Sequence, residues 1–170
     1  KYICFTAKHH DGFALFDTQV SDFNSVKGSP CQRDFVAELT EACSQEGLKF
    51  CLYYSQAQDW HHAGGYRAYH QDERQNNAKA FAAYFESVCV PQVRELLSHY
   101  GEIGMIWFDT PMGMTLEQSQ KLVAQVKSLQ ADCLINGRIG HGLGDYFSMA
   151  DNRIPRVAIQ SAWEVPVTLN

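Results

Sequence analysis

The chain has 170 residues, 45% of them hydrophobic and 12% aromatic, enough apolar material for one packed domain and too much for wholesale disorder. Charged residues make up 19% and the formal net charge is -5, whereas a phosphate-backbone binder carries a basic excess, so nucleic acid is not an expected partner. No apolar run approaches the ~18–20 residues that a membrane-crossing helix needs.

Residues 1–6, with the run Tyr2-Ile3-Cys4-Phe5, read as a strand. Residues 33–46 read as a helix, because Phe35, Val36, Leu39, Ala42 and Cys43 recur at helical spacing and Gly47 supplies a left-handed stop. Residues 48–54 form the next strand. Residues 73–99 carry a long helical pattern that Pro91 should kink or split, since proline has no backbone N–H to give. Residues 104–109 are a strand, and 116–130 a helix started by Thr115 with Gln118 three residues on. Residues 132–136 and 157–160 complete the expected strands.

The strands are continuously apolar, as when both faces of a parallel sheet are covered. The expectation is an α/β fold, specifically part of a (β/α)8-like, TIM-type barrel with helices covering parallel strands. A whole barrel takes about 200 to over 400 residues. The chain begins on Lys1 just before an apolar run and stops at Asn170 without a tail. Residues 1–170 therefore read as an internal part of a single catalytic domain, without a domain boundary.

Polar residues cluster after the C-terminal ends of the strands: His9, His10 and Asp11, then Tyr53, Tyr54, Asp59 and Trp60, then Asp109, then Asn136 and Arg138. In a β/α barrel these positions share one face, where active sites form. Asp109 leaves the strand Met105-Ile106-Trp107-Phe108 just before Thr110-Pro111, as either a catalytic carboxylate or a turn cap. The pair His9 and His10 suits metal ligation, acid/base work or hydrogen bonds to sugar hydroxyls. Both reach one ligand only if the strand bends or ends there. His61, His62 and Asp109 are the further metal-ligand candidates, but the HExxH spacing is missing. Tyr53, Tyr54, Trp60 and Trp163 offer aromatic surface to a sugar ring, while Trp107 reads better as core. Tyr53 and Tyr54 should face opposite sides of the sheet.

Asp145, Asp151 and Glu164 are candidates for a second carboxylate. Gly137, Gly140, Gly142 and Gly144 lack the helix and Lys-Ser/Thr of a phosphate loop. Neither a Ser-His-Asp nor a GxSxG arrangement is present. None of the six cysteines forms a CxxC pair, and Cys4, Cys51 and Cys133 read as buried thiols within strands.

These residues carry a resemblance. Thr6-Ala7-Lys8-His9-His10-Asp11-Gly12-Phe13, Asp22-Phe23-Asn24-Ser25-Val26, Arg33-Asp34, Gly47-Leu48-Lys49-Phe50, Tyr53-Tyr54-Ser55, Asp59-Trp60, Ile106-Trp107-Phe108-Asp109, Asn136-Gly137-Arg138, Gly144-Asp145-Tyr146 and Trp163-Glu164 together resemble glycoside hydrolase family 29, the α-L-fucosidases. The resemblance spans essentially the whole chain. It implies a retaining exo-acting glycoside hydrolase that removes terminal α-L-fucose from a fucosylated oligosaccharide or glycoconjugate, without a metal or other cofactor. It implies a barrel-like catalytic domain whose earlier strands and C-terminal β-sandwich lie outside these 170 residues, and it favours a periplasmic or secreted location.

The resemblance makes Asp109 the nucleophile and places His9, His10, Tyr53, Trp60, Arg138 and Glu164 at the sugar. Asp151 is the first choice for the acid/base and Glu164 the second, with a glutamate from outside these residues as the remaining alternative. A retaining pair of carboxyl groups stands about 5–5.5 Å apart. The acid should hold its proton through desolvation or the nucleophile's charge. Two other readings stay open: a catalytically inactive, fucose-binding barrel, and a metal-dependent hydrolase using His9, His10 and Asp109.

Overall fold

The computed structural model describes residues 1–67 and 77–168. Its frame is a four-stranded parallel sheet, with strands β1 (Tyr2–Lys8), β2 (Lys49–Ser55), β3 (Met105–Asp109) and β4 (Leu134–Ile135) lying side by side in chain order. Helix α1 (Phe35–Gln45) joins β1 to β2. Helices α2 (Ala78–Tyr84) and α3 (Val90–His99) join β2 to β3, and α4 (Leu116–Leu129) joins β3 to β4. A second, two-stranded parallel pair follows, β5 (Phe147–Ser148) with β6 (Trp163–Glu164). Among the described residues no helix is long and apolar enough to cross a membrane.

Residues alternate across the strands. Leu52, Tyr54, Ile106 and Phe108 are fully buried with Val36, Phe81, Tyr84, Leu96, Leu122 and Val126 of the helices. Their neighbours Tyr53, Met105, Trp107 and Asp109 line a cavity on the other face, with Tyr2, Cys4 and Thr6 of β1. The expectation of a sheet covered on both faces is thus corrected: among the described residues the helices pack on one face and the second opens on the cavity. Cys51 and Cys133 are buried as expected, but Cys4 is exposed, because it lies on the face that opens on the cavity. All six cysteines are free thiols.

Local chemistry explains where the elements start and stop. Asp34 caps α1, its carboxylate accepting from the Ala37 N–H at 2.9 Å. Gly47 takes φ +64° after the last turn. Thr115 and Gln118 form a reciprocal capping box on α4, as their spacing predicts. The effect of Pro91 is absorbed one turn upstream. A π-helical turn, Phe85–Cys89, lets the Val90 N–H reach the Phe85 carbonyl, so α2 and α3 continue across it. Residues 73–76 of the long helical pattern lie outside the described residues.

Two strands differ from expectation. β4 pairs over two residues only, because side chains take over its hydrogen bonding. Asn136 accepts from the Phe108 N–H at 2.8 Å and donates to the Phe108 carbonyl at 2.9 Å, while the Ile135 N–H donates to Asp145 Oδ2 at 2.7 Å. Residues 157–160 are irregular, with Val157 exposed, and the ladder is made instead by Trp163 and Glu164 against Phe147 and Ser148.

Candidate active site

The site sits where β1, β2 and β3 and the turn after β4 end. In the β1–β2 register Thr6 pairs with Tyr53 and Lys8 with Tyr54, so Ala7 is an extra residue. This bulge turns Lys8 to the helix side, beside Tyr54, and ends the strand just before the two histidines. Lys8 is fully buried, and its ammonium donates to Asp59 Oδ2 and to the Tyr84 hydroxyl, each at 2.8 Å. Asp59 is equally buried and also accepts from the His61 and His62 N–H groups and contacts His62 Nδ1 at 2.9 Å. Burial opposes its charge, but Lys8 and His62 outweigh that and hold Asp59 well below the usual carboxylate range. Gly12, at φ +85°, passes so close that a Cβ there would lie 2.3 Å from Asp59 Oδ1. Sequence reasoning quoted Lys8 and Asp59 without giving them work, since nothing in the pattern shows that they meet.

With β1 ended, the rings of His9 and His10 stand 4.2 Å apart on the same side. His9 stacks on Tyr53 at 5.2 Å, Tyr53 on Trp107 at 5.4 Å, and the Arg138 guanidinium lies 4.9 Å from the Trp107 ring centre. Trp107 is therefore a wall of the cavity and not ordinary core, correcting the sequence expectation. Tyr53 and Tyr54 do face opposite sides, and Tyr54 donates to Gln92 at 2.8 Å in the core.

Asp109 is the hub. Its Oδ2 accepts from the Tyr53 hydroxyl at 2.8 Å and its Oδ1 from Arg138 Nη1 at 2.8 Å. Its side chain is 13% exposed. Gln56 fixes the backbone beneath it, accepting from the Asp109 N–H at 2.8 Å and donating to the Arg138 carbonyl at 2.9 Å. Gln56 is a site residue that the sequence reading missed; its place one residue beyond β2 was the available signal. Burial, reinforced by the charge of Asp109, pushes the Tyr53 hydroxyl far above its usual range, so it stays a donor.

His10 Nε2 lies 3.6 Å from Asp109 Oδ2. Its Nδ1 meets Ser55 Oγ at 2.7 Å, and that hydroxyl donates its hydrogen to the Gln58 carbonyl at 2.8 Å. Nδ1 must therefore carry the ring proton, which leaves the Nε2 lone pair facing the site. Burial, with His9 alongside, lowers the His10 pKa to about 4 despite the opposing pull of Asp109. Trp60 stands beside His10, its ring 6.0 Å away and its backbone N–H donating to the His10 carbonyl at 2.8 Å. It supports His10 and lines neither of the cavities that border Asp109.

Arg138 joins the third group. It follows Gly137, where a Cβ would meet the Ser148 nitrogen at 2.7 Å, so only glycine lets the two backbones close here. Its Nη2 donates to the Met149 carbonyl at 3.1 Å and to Asp151. Burial disfavours its charge, but the bonds to Asp151 and Asp109 raise its pKa. The side chain of Asp151 is 67% exposed, so the desolvation expected of a proton donor is not present there. Glu164 lines the cavity over the sheet face together with Asp109, Arg138 and Asp151. It accepts from Trp107 Nε1 and from Ser148 Oγ, each at 2.6 Å, and from the Tyr146 hydroxyl at 3.3 Å. Asp145 is tied to Lys127 at 2.8 Å and to β4, a structural role.

Asp109, Arg138 and Asp151 border two cavities of about 610 Å³ each, one over the sheet face and one toward His9, His10 and Thr110. Among the described residues no group of three His, Cys, Asp or Glu is placed to hold a metal ion. His62, one of the ligand candidates, is engaged with Asp59.

The order of these residues along the chain agrees with one family throughout: residues 1–170 match the alpha-L-fucosidase family model from end to end. The chain belongs to the alpha-L-fucosidase family. Among its fucosidase relatives of known structure is AlfC of Lactobacillus casei in complex with its α-L-fucose product. That structure is 40% identical and superposes with a TM-score of 0.83 over 92% of this chain and 52% of AlfC. A variant of AlfC in complex with Fucα(1,6)GlcNAc is likewise 40% identical, with a TM-score of 0.81 over 89% of this chain and 51% of that one. The plasma alpha-L-fucosidase of Homo sapiens is 28% identical over 100% of this chain and 37% of its own length. The chain thus spans about half of AlfC and little more than a third of the human enzyme.

Proposed function

We propose that this chain carries the nucleophile side of a retaining exo-α-L-fucosidase site, within a (β/α)-barrel catalytic domain of which residues 1–170 are an internal part. The observation that carries this reading is Asp109: a carboxylate at the end of a central strand, each oxygen oriented by one donor, beside a neutral histidine and open to a cavity. Its family relatives are alpha-L-fucosidases, and AlfC binds fucose and a fucosylated disaccharide.

In this reading Asp109 attacks the anomeric carbon while Asp151 protonates the leaving oxygen. A fucosyl ester forms on Asp109. Water, deprotonated by Asp151, then attacks that carbon, the ester bond breaks, and the configuration is retained. Tyr53 and Arg138 aim the carboxylate before the substrate arrives, which is where positioning lowers a barrier. A sugar hydroxyl donates to Nε2 of His10, where Thr110 Oγ1 at 3.5 Å is the present long partner, and His9 stands alongside. A sugar lacking that hydroxyl leaves the nitrogen with the long Thr110 contact alone and binds less well. Met105 and the Trp107 face form the apolar wall that the 6-methyl of fucose requires. The substrate is a terminally fucosylated glycan.

The test is azide rescue in the purified protein that carries this chain, on an aryl α-L-fucoside. Asp109→Gly is expected to lose activity by at least about 10³-fold, and azide to restore turnover as β-fucosyl azide. An active wild type with an Asp109→Gly variant of similar rate would place the nucleophile elsewhere. A wild type that binds fucose and releases none would favour the binding-only barrel.

A further inference from the structure

We infer that Glu164 is a positioning residue for Asp109, acting through Trp107 and Arg138, and not the group that protonates the leaving oxygen. The inference rests on the fucosidase reading above and assigns a role within that site.

The donors around Glu164 define its task. Indole Nε1 only donates, and Trp107 aims it at Glu164 Oε1 from 2.6 Å. Ser148 Oγ accepts the Gly137 N–H at 3.0 Å, which leaves its own hydrogen for the same Oε1, also at 2.6 Å. The Tyr146 hydroxyl meets Oε2 at 3.3 Å. Burial and the charge of Glu164 push that hydroxyl far above its usual range, so it remains a donor. Two donors thus converge on Oε1, while the Tyr146 hydroxyl near Oε2 also faces Met105 Sδ at 2.9 Å. A general acid needs a proton to give and a path to the leaving oxygen. Glu164 commits Oε1 to Trp107 and Ser148 and turns Oε2 to the Tyr146 hydroxyl.

What it holds in place are the two partners of Asp109. The bond to Nε1 fixes the rotation of the Trp107 indole. One neighbour of that ring is Arg138 at 4.9 Å and another is Tyr53 at 5.4 Å. These are the two side chains that donate to Asp109 Oδ1 and Oδ2. The backbone of Glu164 reaches the same place: its carbonyl accepts from the Met149 N–H at 2.9 Å, and the Met149 carbonyl accepts from Arg138 Nη2 at 3.1 Å. Releasing Trp107 therefore loosens both orienting groups at once. Misplacement by about 1 Å is enough to cost on the order of 10² in rate.

The experiment compares Glu164→Gln, Glu164→Ala and Trp107→Phe in the protein that carries this chain, on phenyl and 4-nitrophenyl α-L-fucosides. Glutamine keeps an oxygen for Trp107 and Ser148 and turns its amide toward the Tyr146 oxygen. Glu164→Gln should thus keep kcat within about tenfold of wild type, whereas a lost acid/base is not rescued by glutamine. Glu164→Ala should lose about 10²-fold in kcat by the same factor on both leaving groups, with KM within about threefold and without azide rescue. Trp107→Phe removes Nε1 and keeps the ring face, so it should lose a similar factor. The double variant should then lose little more than either single one.

A Glu164→Gln enzyme as dead as Glu164→Ala, with a greater loss on the phenyl substrate and rescue by azide, would make Glu164 the acid/base and overturn the inference. Full activity in Glu164→Ala would overturn it as well. In both cases an active wild type leaves the fucosidase reading standing, whereas an inert wild type overturns that reading and this inference with it.

Discussion

Arg138 donates from one guanidinium nitrogen to Asp109 and from the other to Asp151 and the Met149 carbonyl. A lysine is a point charge and cannot span those three acceptors. Arg138→Lys is expected to lower kcat on an aryl α-L-fucoside by about 10²-fold, as read by steady-state kinetics, because Asp109 keeps a cation nearby but not its orientation. His10 gives a pH prediction. Its folded pKa, about 4, lies below the usual 6.5 of the unfolded chain. Between those values the unfolded state binds a proton that the folded state refuses, so this contribution to stability shrinks as pH falls from about 6.5 to about 4 and is constant below that. KM for the fucoside should accordingly stay flat from pH 7 to about 5 and rise as pH falls through about 4. A rise beginning near 6.5 would mean that His10 titrates like a histidine in water. At this scale the gathering of Asp109, Arg138, Tyr53 and the histidine pair was legible, because each lies at or near the C-terminal end of a strand. Gln56 and Glu164 were not assigned their tasks, since a hydrogen bond between distant elements leaves no trace in local spacing.

Among the elements, the end of β1 carries the most buried electrostatics. The bulge at Ala7 sends Lys8 under the helices, where Asp59 of the loop after β2 and Tyr84 of α2 receive it. Removing one partner of a buried pair leaves an uncompensated charge. Lys8→Met is expected to lower the unfolding free energy by about 3–5 kcal/mol in a denaturant titration. A loss below about 1 kcal/mol would show that Asp59 is satisfied by its remaining donors. Helix and strand centres followed the apolar pattern closely, and the Thr115 capping box was written in two residues. The ends of β4 and the position of β6 were not. There side chains from Asn136 and Asp145 replace the ladder, and the choice between residues 157–160 and Trp163–Glu164 depends on which meets β5.

For the molecule as a whole, chain order and sheet order coincide, and the chemistry collects along one rim of the sheet. The alternation of Leu52, Tyr54, Ile106 and Phe108 with Tyr53, Met105 and Trp107 already encodes a helix side and a cavity side. The apolar strand composition masked it, because the cavity-facing set is itself aromatic or apolar. β1 is an edge, with Tyr2 64% and Ile3 40% exposed. A flat apolar edge recruits other strands. These 170 residues expressed alone should self-associate in light scattering at micromolar concentration, and Ile3→Lys should reduce that association. An unchanged size distribution would point to a surface other than β1.

The row His9, Tyr53, Trp107 and Arg138 draws one member from each of four successive strand ends. Tyr53 and Trp107 are chromophores 5.4 Å apart and within 20° of parallel, so their electronic transitions couple, and the guanidinium biases the indole from beside it. Such a pair gives near-ultraviolet ellipticity only while side-chain packing is fixed. The rim of the sheet therefore carries an intrinsic optical reporter of its own assembly, which registers the packing of β2 against β3 before any sugar is added.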